Sequence, residues 1–284
     1  MRLSRRNIGT ACRLSRQSGG RPFDYRSGQA LSYNQDLWRD RQGKLLNVEL
    51  LDIASYAEPE RVRKMFGSIA RRYDLANHVL SCGADFYWRK RAAEIVAGWR
   101  PSSIMDLATG TGDLALTMQR RMPNVEILGA DFSEEMLVIA KHKGLRRAMT
   151  ADAMKLPLAD GSFDCVTIAF GLRNLPDWKG ALGEMRRVIK SGGHLLILEF
   201  SLPRLPMLRA GYRFYLHRCL PVVGSFLTKQ KSAYNYLGDS IEQFPSGDAM
   251  LRLLESTGFA NPVAEPLTAG IVTIYTGNAC SGGL

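Results

Sequence analysis

Cysteine, acid in two long segments, and extended apolar runs are what this 284-residue chain has least of. Its five cysteines, Cys12, Cys82, Cys165, Cys219 and Cys280, are odd in number, far apart and in no metal-ligand spacing. That pattern argues against a disulfide framework and a zinc site, and a reducing compartment fits. The longest stretch free of charge, Pro266 to Leu284, is interspersed with Thr, Ser, Asn and Gly, so it does not read as a transmembrane helix. Hydrophobic residues make up 45% of the chain and charged residues 23%, which excludes a disordered or collagen-like protein and leaves enough chain for one large core.

Acid is missing before Asp24 and again from Ser201 to Gly238. Lys and Arg total 38 against 27 Asp and Glu, giving +11, and residues 1–50 carry +6 of it with ten basic and four acidic side chains. Residues 1–55 therefore read as a basic extension without apolar periodicity, expected to be flexible. Its Arg-rich, acid-poor start suits a mitochondrial presequence; a disordered tail or a start codon assigned too far upstream suits it too. In the second segment, Arg209, Arg213 and Arg218 recur at spacings of four and five among large apolar residues, which places them near one face of a helix. Such a helix can lie on an anionic membrane surface or pack on its own core.

Apolar spacings of three and four predict helices over 60–79 (Val62, Phe66, Ile69, Ala70, Tyr73) and 86–98, a helical lid spanning residues 56–100. From 101 to 278 the pattern alternates. Strands are expected at 104–108, 125–130, 148–151, 163–170 and 194–200, and helices at 114–121, 133–143 with Ser133 as N-cap, 178–189 and 248–257. Val263–Leu267 and Ile271–Tyr275 predict a closing antiparallel hairpin. The expected fold is α/β, a doubly wound, mostly parallel seven-stranded sheet with that hairpin at its end. Residues 201–238 would form a lid or membrane-facing insert.

After the first strand comes Asp106-Leu-Ala-Thr-Gly110-Thr-Gly112-Asp113. A strand turning sharply into a helix beside a ligand needs glycine torsions, and the helix N-terminus offers free N–H groups. Gly110-Thr-Gly112-Asp-Leu-Ala115 also satisfies the dinucleotide pattern G-x-G-x-x-A. Asp131 ends the next strand, where its carboxylate can take two ribose hydroxyls of either adenosine cofactor. Two acids favour a zwitterion over a pyrophosphate: Asp106, which can meet a cationic amino group or fix the loop, and Asp113, which repels phosphate. Asp152 can reach an adenine amino group, and the Ala153 backbone N–H a ring nitrogen.

Asp106-x-Ala-x-Gly-x-Gly, Asp131, Asp152-Ala153 and Arg187-Val-Ile-Lys-Ser-Gly-Gly193 resemble the motif series of class I S-adenosylmethionine-dependent methyltransferases. Six finer features resemble the menaquinone/ubiquinone C-methyltransferase family: Phe66-x-x-x-Ala70-x-x-Tyr73-Asp74-x-x-Asn77, Trp88-Arg-Lys, Phe170-Gly-Leu-Arg-Asn174, Leu198-Glu-Phe-Ser201, Tyr236-Leu-x-x-Ser240-Ile-x-x-Phe244-Pro and Leu267-Thr-Ala-Gly-Ile-Val. The resemblance implies S-adenosyl-L-methionine as cofactor, contacted by Thr111, Asp131 and Asp152-Ala153 along the Asp106, Gly110 and Gly112 loop. It implies a polyprenylated hydroquinone as substrate: demethylmenaquinol, or the methoxy-benzoquinol precursor of ubiquinone. Three positions depart from the family pattern: Ala169 where Ser is frequent, Thr109 where Gly is common, and a short stretch between Lys141 and Asp152.

Carbon methylation of such a ring needs an ionised hydroxyl, and a free phenol has a pKa of about 10. A cation beside the oxygen lowers it. Arg173, just past the fourth strand, is placed to stabilise a phenolate or orient a water that takes the proton; Arg stays protonated and is no simple base. Asn174 can hydrogen-bond the second hydroxyl, and Tyr73, Glu199 and His217 are further candidates. No metal is expected. A nucleic-acid partner is not expected either, because Asn174-Leu-Pro-Asp177 lacks the terminal aromatic of base-methylating enzymes. An NAD-dependent dehydrogenase and a non-catalytic scaffold are the remaining rivals. The expected setting is cytoplasmic and peripheral to a bacterial inner membrane, or the matrix face in a mitochondrion, with a homodimer left open.

Overall fold

A computed structural model of the chain describes residues 78–222 and 231–280. The order of elements is α1 (Ala84–Trp99), β1 (Ser103–Leu107), α2 (Asp113–Arg121), β2 (Glu126–Asp131), α3 (Glu134–His142), β3 (Arg147–Thr150), β4 (Phe163–Ala169), α4 (Trp178–Val188) and β5 (Ile189–Phe200). Then follow α5 (Pro206–Phe214), which continues into a π-helical turn over Tyr215–Cys219, α6 (Lys231–Gln243), α7 (Asp248–Ser256), β6 (Phe259–Leu267) and β7 (Val272–Ala279). The seven strands form one sheet in the order β3-β2-β1-β4-β5-β7-β6. β7 runs antiparallel between β5 and β6, and the other pairings are parallel.

Period-two alternation on the central strands sends neighbouring residues to opposite faces. Met105, Val166 and Leu195 pack with Leu182 and Met185 of α4 and Leu254 of α7. Ile104, Cys165 and Leu196 pack with Trp88, Ala92 and Val96 of α1 and Met118 of α2. This double burial holds β1 and β4 rigidly, and their carboxyl ends carry the site. A third cluster, Leu216, Leu220, Tyr234 and Ile241, joins the π-helical turn to α6.

Three expectations differ from the structure. The helix expected to end at Ile189 ends at Val188, and Ser191-Gly-Gly lies inside β5. Ile189 pairs with Phe163, and a register shift then absorbs the glycines, where a Cβ on Gly193 would sit 2.6 Å from the Asp164 carbonyl. The alternation also reads as five strands each followed by a helix, but the crossover from β3 to β4 has none. Arg209 and Arg218 would stand opposite each other on an unbroken α-helix, nine residues at about 100° each. The π-helical turn between them changes that phase. The expected helix over 60–79 lies almost wholly outside the described residues.

Candidate active site

β1 places Asp106 beside Thr167 of β4, its register partner. The Thr167 and Thr109 hydroxyls each donate to the Asp106 carboxylate at 2.6 Å. Asp106 is fully buried, and desolvation pushes its pKa up to about 6 against the pull of those two hydroxyls. Of the two roles read for this acid, the contacts supply loop fixation. Ala108, Gly110 and Gly112 follow with φ of 50°, 56° and 85°. A side chain on Gly110 would meet nothing within 4 Å, since that space belongs to a cavity. Gly112 caps α2, and a Cβ there would press on Ala140 of α3 at 3.1 Å. Thr111 is buried beside it.

Asp131 at the end of β2 closes the loop from the other side. Its Oδ2 accepts the Gly110 N–H and its Oδ1 the Ser133 N–H, both at 2.8 Å. Burial raises its pKa, opposed by those N–H groups. A carboxylate offers about four acceptor sites, so room remains for a further donor. Ser133 caps α3, accepting from the Met136 N–H. Asp131, Phe132, Asp152 and Ala153 line a chamber of about 180 Å³. Asp152 is exposed and spends one oxygen on the Met154 N–H, while Ala153 is buried.

A larger chamber of about 580 Å³ adjoins it, and Ala108, Gly110, Phe170 and Asn174 line both. Phe170 follows β4 with φ 56°, an uncommon torsion for a bulky residue and a mark of local strain. Gly171 must be small, because its Cβ would fall 2.6 Å from that of Ala108. Arg173 and Asn174 follow in a turn of 3₁₀ helix over Leu172–Asn174. Arg173 is not a bare cation. Its guanidinium bonds Glu199 Oε1 and the Phe170 carbonyl, both at 2.6 Å, and lies 5.3 Å over the Phe200 ring. Burial raises the pKa of Glu199, and Arg173 opposes it. Arg173 Nε and Asn174 Oδ1 are buried without a hydrogen-bond partner. Trp88, Phe170, Phe200, Tyr212 and Tyr236 give the chamber an aromatic wall.

The chamber thus gathers Asp106, Gly110, Thr111, Arg173 and Asn174, while Asp131, Asp152 and Ala153 face the smaller one. Tyr73 lies outside the described residues. His217 is directed elsewhere, 3.2 Å from Glu242 and exposed. Sequence reasoning missed the α1 corner, where Arg89 pairs with Asp85 and reaches Asp113 at 3.4 Å, and where the Trp88 indole donates to Thr268 Oγ1 at 2.7 Å. The Trp88-Arg-Lys motif was its only signal. Among the described residues no group of three or more His, Cys, Asp or Glu is arranged to hold a metal.

Sheet order, closing antiparallel strand and a glycine loop answered by an acid on β2 define a class I S-adenosylmethionine-dependent methyltransferase. A methyltransferase of that dependence from Thermotoga maritima shares the fold at a TM-score of 0.56, with 19% identity, over 76% of this chain and 98% of its own. The chain belongs to the ubiE/COQ5 methyltransferase family, which it matches over residues 54–279. It is 46% identical to a demethylmenaquinone methyltransferase of Thermus thermophilus, over 75% of this chain and 99% of that one. It is 44% identical to a ubiquinone/menaquinone biosynthesis C-methyltransferase of Geotalea uraniireducens, over 77% and 96%. Its cofactor is S-adenosyl-L-methionine.

Proposed function

We propose that the chain methylates a ring carbon of a polyprenylated hydroquinone, demethylmenaquinol, to give the menaquinol. One observation carries this reading: an aromatic-walled chamber is lined by Arg173 and Asn174, and each of them has a buried polar atom without a partner, a donor at Arg173 Nε and an acceptor at Asn174 Oδ1. An unmade buried hydrogen bond costs about 1–3 kcal/mol, and the two ring oxygens of a hydroquinone, one ionised and one protonated, would restore both. The Arg173 N–H favours the ionised oxygen, while Asn174 holds a protonated one. Glu199 neutralises much of the Arg173 charge, so the effect on the phenol is a directed hydrogen bond more than a field.

S-adenosylmethionine fits the paired chambers and supplies an electrophilic methyl group when bound. Asp131 and the Asp152-Ala153 turn would hold its nucleoside, and Gly110, Thr111 and Gly112 its middle. The protein's contribution to transfer is alignment and exclusion of water, functions of Trp88, Phe170 and Phe200.

The relatives' names also admit the methoxy-benzoquinol of ubiquinone synthesis as a second substrate. Purified protein offered demethylmenaquinol and the benzoquinol in parallel, with mass spectrometry of the products, decides between them. Methylation of neither ends the reading. In cells lacking the gene, the demethylated quinone that accumulates should be the better substrate.

The prenyl tail would leave the larger chamber along α5, whose Met207 and Leu208 line it and are exposed. With Leu205 and Phe214 also exposed and Arg204, Arg209 and Arg218 nearby, this helix suits the surface of an anionic membrane, the bacterial inner membrane or its mitochondrial equivalent. No helix among the described residues is long and apolar enough to cross a membrane.

A further inference from the structure

We propose that Arg89 receives the α-carboxylate of S-adenosylmethionine, a role that rests on the cofactor reading above and extends it to the amino-acid end. The two chambers fix the direction in which that cofactor lies. The smaller one, with Asp131, Asp152 and Ala153, has no cationic side chain in its wall among the described residues. It suits the nucleoside, and Gly110 marks the passage to the larger one. Beyond Gly110 the wall continues through Thr111 and Asp113 to Asp85 and Arg89 of α1. A ligand with its ribose at Asp131 and its sulfur past Gly110 presents its amino-acid end to that corner.

Among the described residues two cations line the larger chamber, Arg173 and Arg89. Arg173 serves the quinol in the reading above, with its Nη1 held by Glu199 and the Phe170 carbonyl. Arg89 stands on the glycine-loop side, its side chain only 9% exposed. Asp85 holds it in place and is itself fixed by the Ser81 hydroxyl at 2.7 Å and the His78 ring at 2.6 Å. Asp113, on the other side, is shared with Lys143. A guanidinium has five N–H groups in a rigid fork that matches a carboxylate. Asp85 and Asp113 on either side of Arg89 supply negative charge for the ammonium group of the same amino acid. The corner alternates in sign as a zwitterion does, and its burial limits screening by salt.

Isothermal titration of the full chain with S-adenosylmethionine and with its decarboxylated analogue tests the assignment. That analogue keeps the sulfonium and amine but lacks the carboxylate. The wild type should bind the complete cofactor about ten- to a hundred-fold more tightly, the range for a hydrogen bond to a charged group. Arg89→Gln should lose that preference while binding the analogue as the wild type does, and Arg89→Lys should keep part of it. Equal weakening for both ligands in Arg89→Gln, or no wild-type preference, overturns the assignment. Should Arg89→Gln fail to fold, Arg89→Lys decides: a preference reduced several-fold supports the role, an unchanged one refutes it. A wild type that binds neither ligand overturns the cofactor reading itself.

Discussion

Glu199 makes the sharpest case for what a single side chain does here. It is fully buried, and its cation is Arg173. Removing one member of a buried pair strands the other's charge, at a cost of about 3–5 kcal/mol. Glu199→Ala should lose that much in denaturant unfolding, along with turnover. Glu199→Gln keeps an acceptor for Arg173 and should fold better while its kcat stays low, since Arg173 is no longer held by a charge. Equal stability of the alanine variant and the wild type would deny the pair its structural weight. Asp106 gives a pH signature. Between about pH 4 and its raised value of about 6, the folded protein keeps a proton that the unfolded chain has released. Stability contributed by this group therefore falls as pH rises through that window. Asp106→Asn should flatten that slope in melting temperature against pH. The residue types of the glycine loop were readable because torsion and chemistry restrict them locally. The Arg173–Glu199 pairing was not, because 26 residues and a change of strand separate the partners.

At the scale of elements, the turns between strands and helices are tightly specified. Gly171 lies against Ala108, so Gly171→Ala forces the loops after β1 and β4 apart. Overpacking of this kind costs about 1–3 kcal/mol. Affinity for the cofactor, measured by titration, should fall with stability. Ser133→Ala removes the cap of α3 but keeps the N–H that Asp131 accepts, so it should cost about 1 kcal/mol and leave binding nearly intact. On α5, changing Arg209, Arg213 and Arg218 to Glu should abolish co-sedimentation with anionic vesicles; unchanged binding would remove the helix from the membrane reading. Arg213 already pairs with Glu242 and Arg209 with the Pro203 carbonyl, so Arg218 should carry the larger single effect. The cap at Ser133 and the closing hairpin were legible from local signals. The glycines within β5 were not, because a bulge depends on the strand alongside.

For the whole molecule, the alternation of strands and helices was enough to read a doubly wound sheet, since each buried strand must be covered on both faces. What it left unread was the meeting of distant segments over the carboxyl edge. α1 approaches the glycine loop through Arg89 and Asp113, and Trp88 reaches Thr268 across 180 residues. Such contacts follow from docking, and no spacing in the chain encodes them.

Phe170 separates the two chambers and belongs to both, held in its left-handed torsion beside Arg173 and 5.9 Å from the Arg89 guanidinium. A partition shared in this way makes the two guests interdependent. If filling one compartment shifts the ring, the other compartment registers it, and thermodynamic reciprocity makes the mutual influence equal in both directions. The demethylated cofactor and a quinol mimic should therefore alter each other's dissociation constants by one common factor, and replacing the phenyl ring with a smaller side chain should bring that factor toward unity.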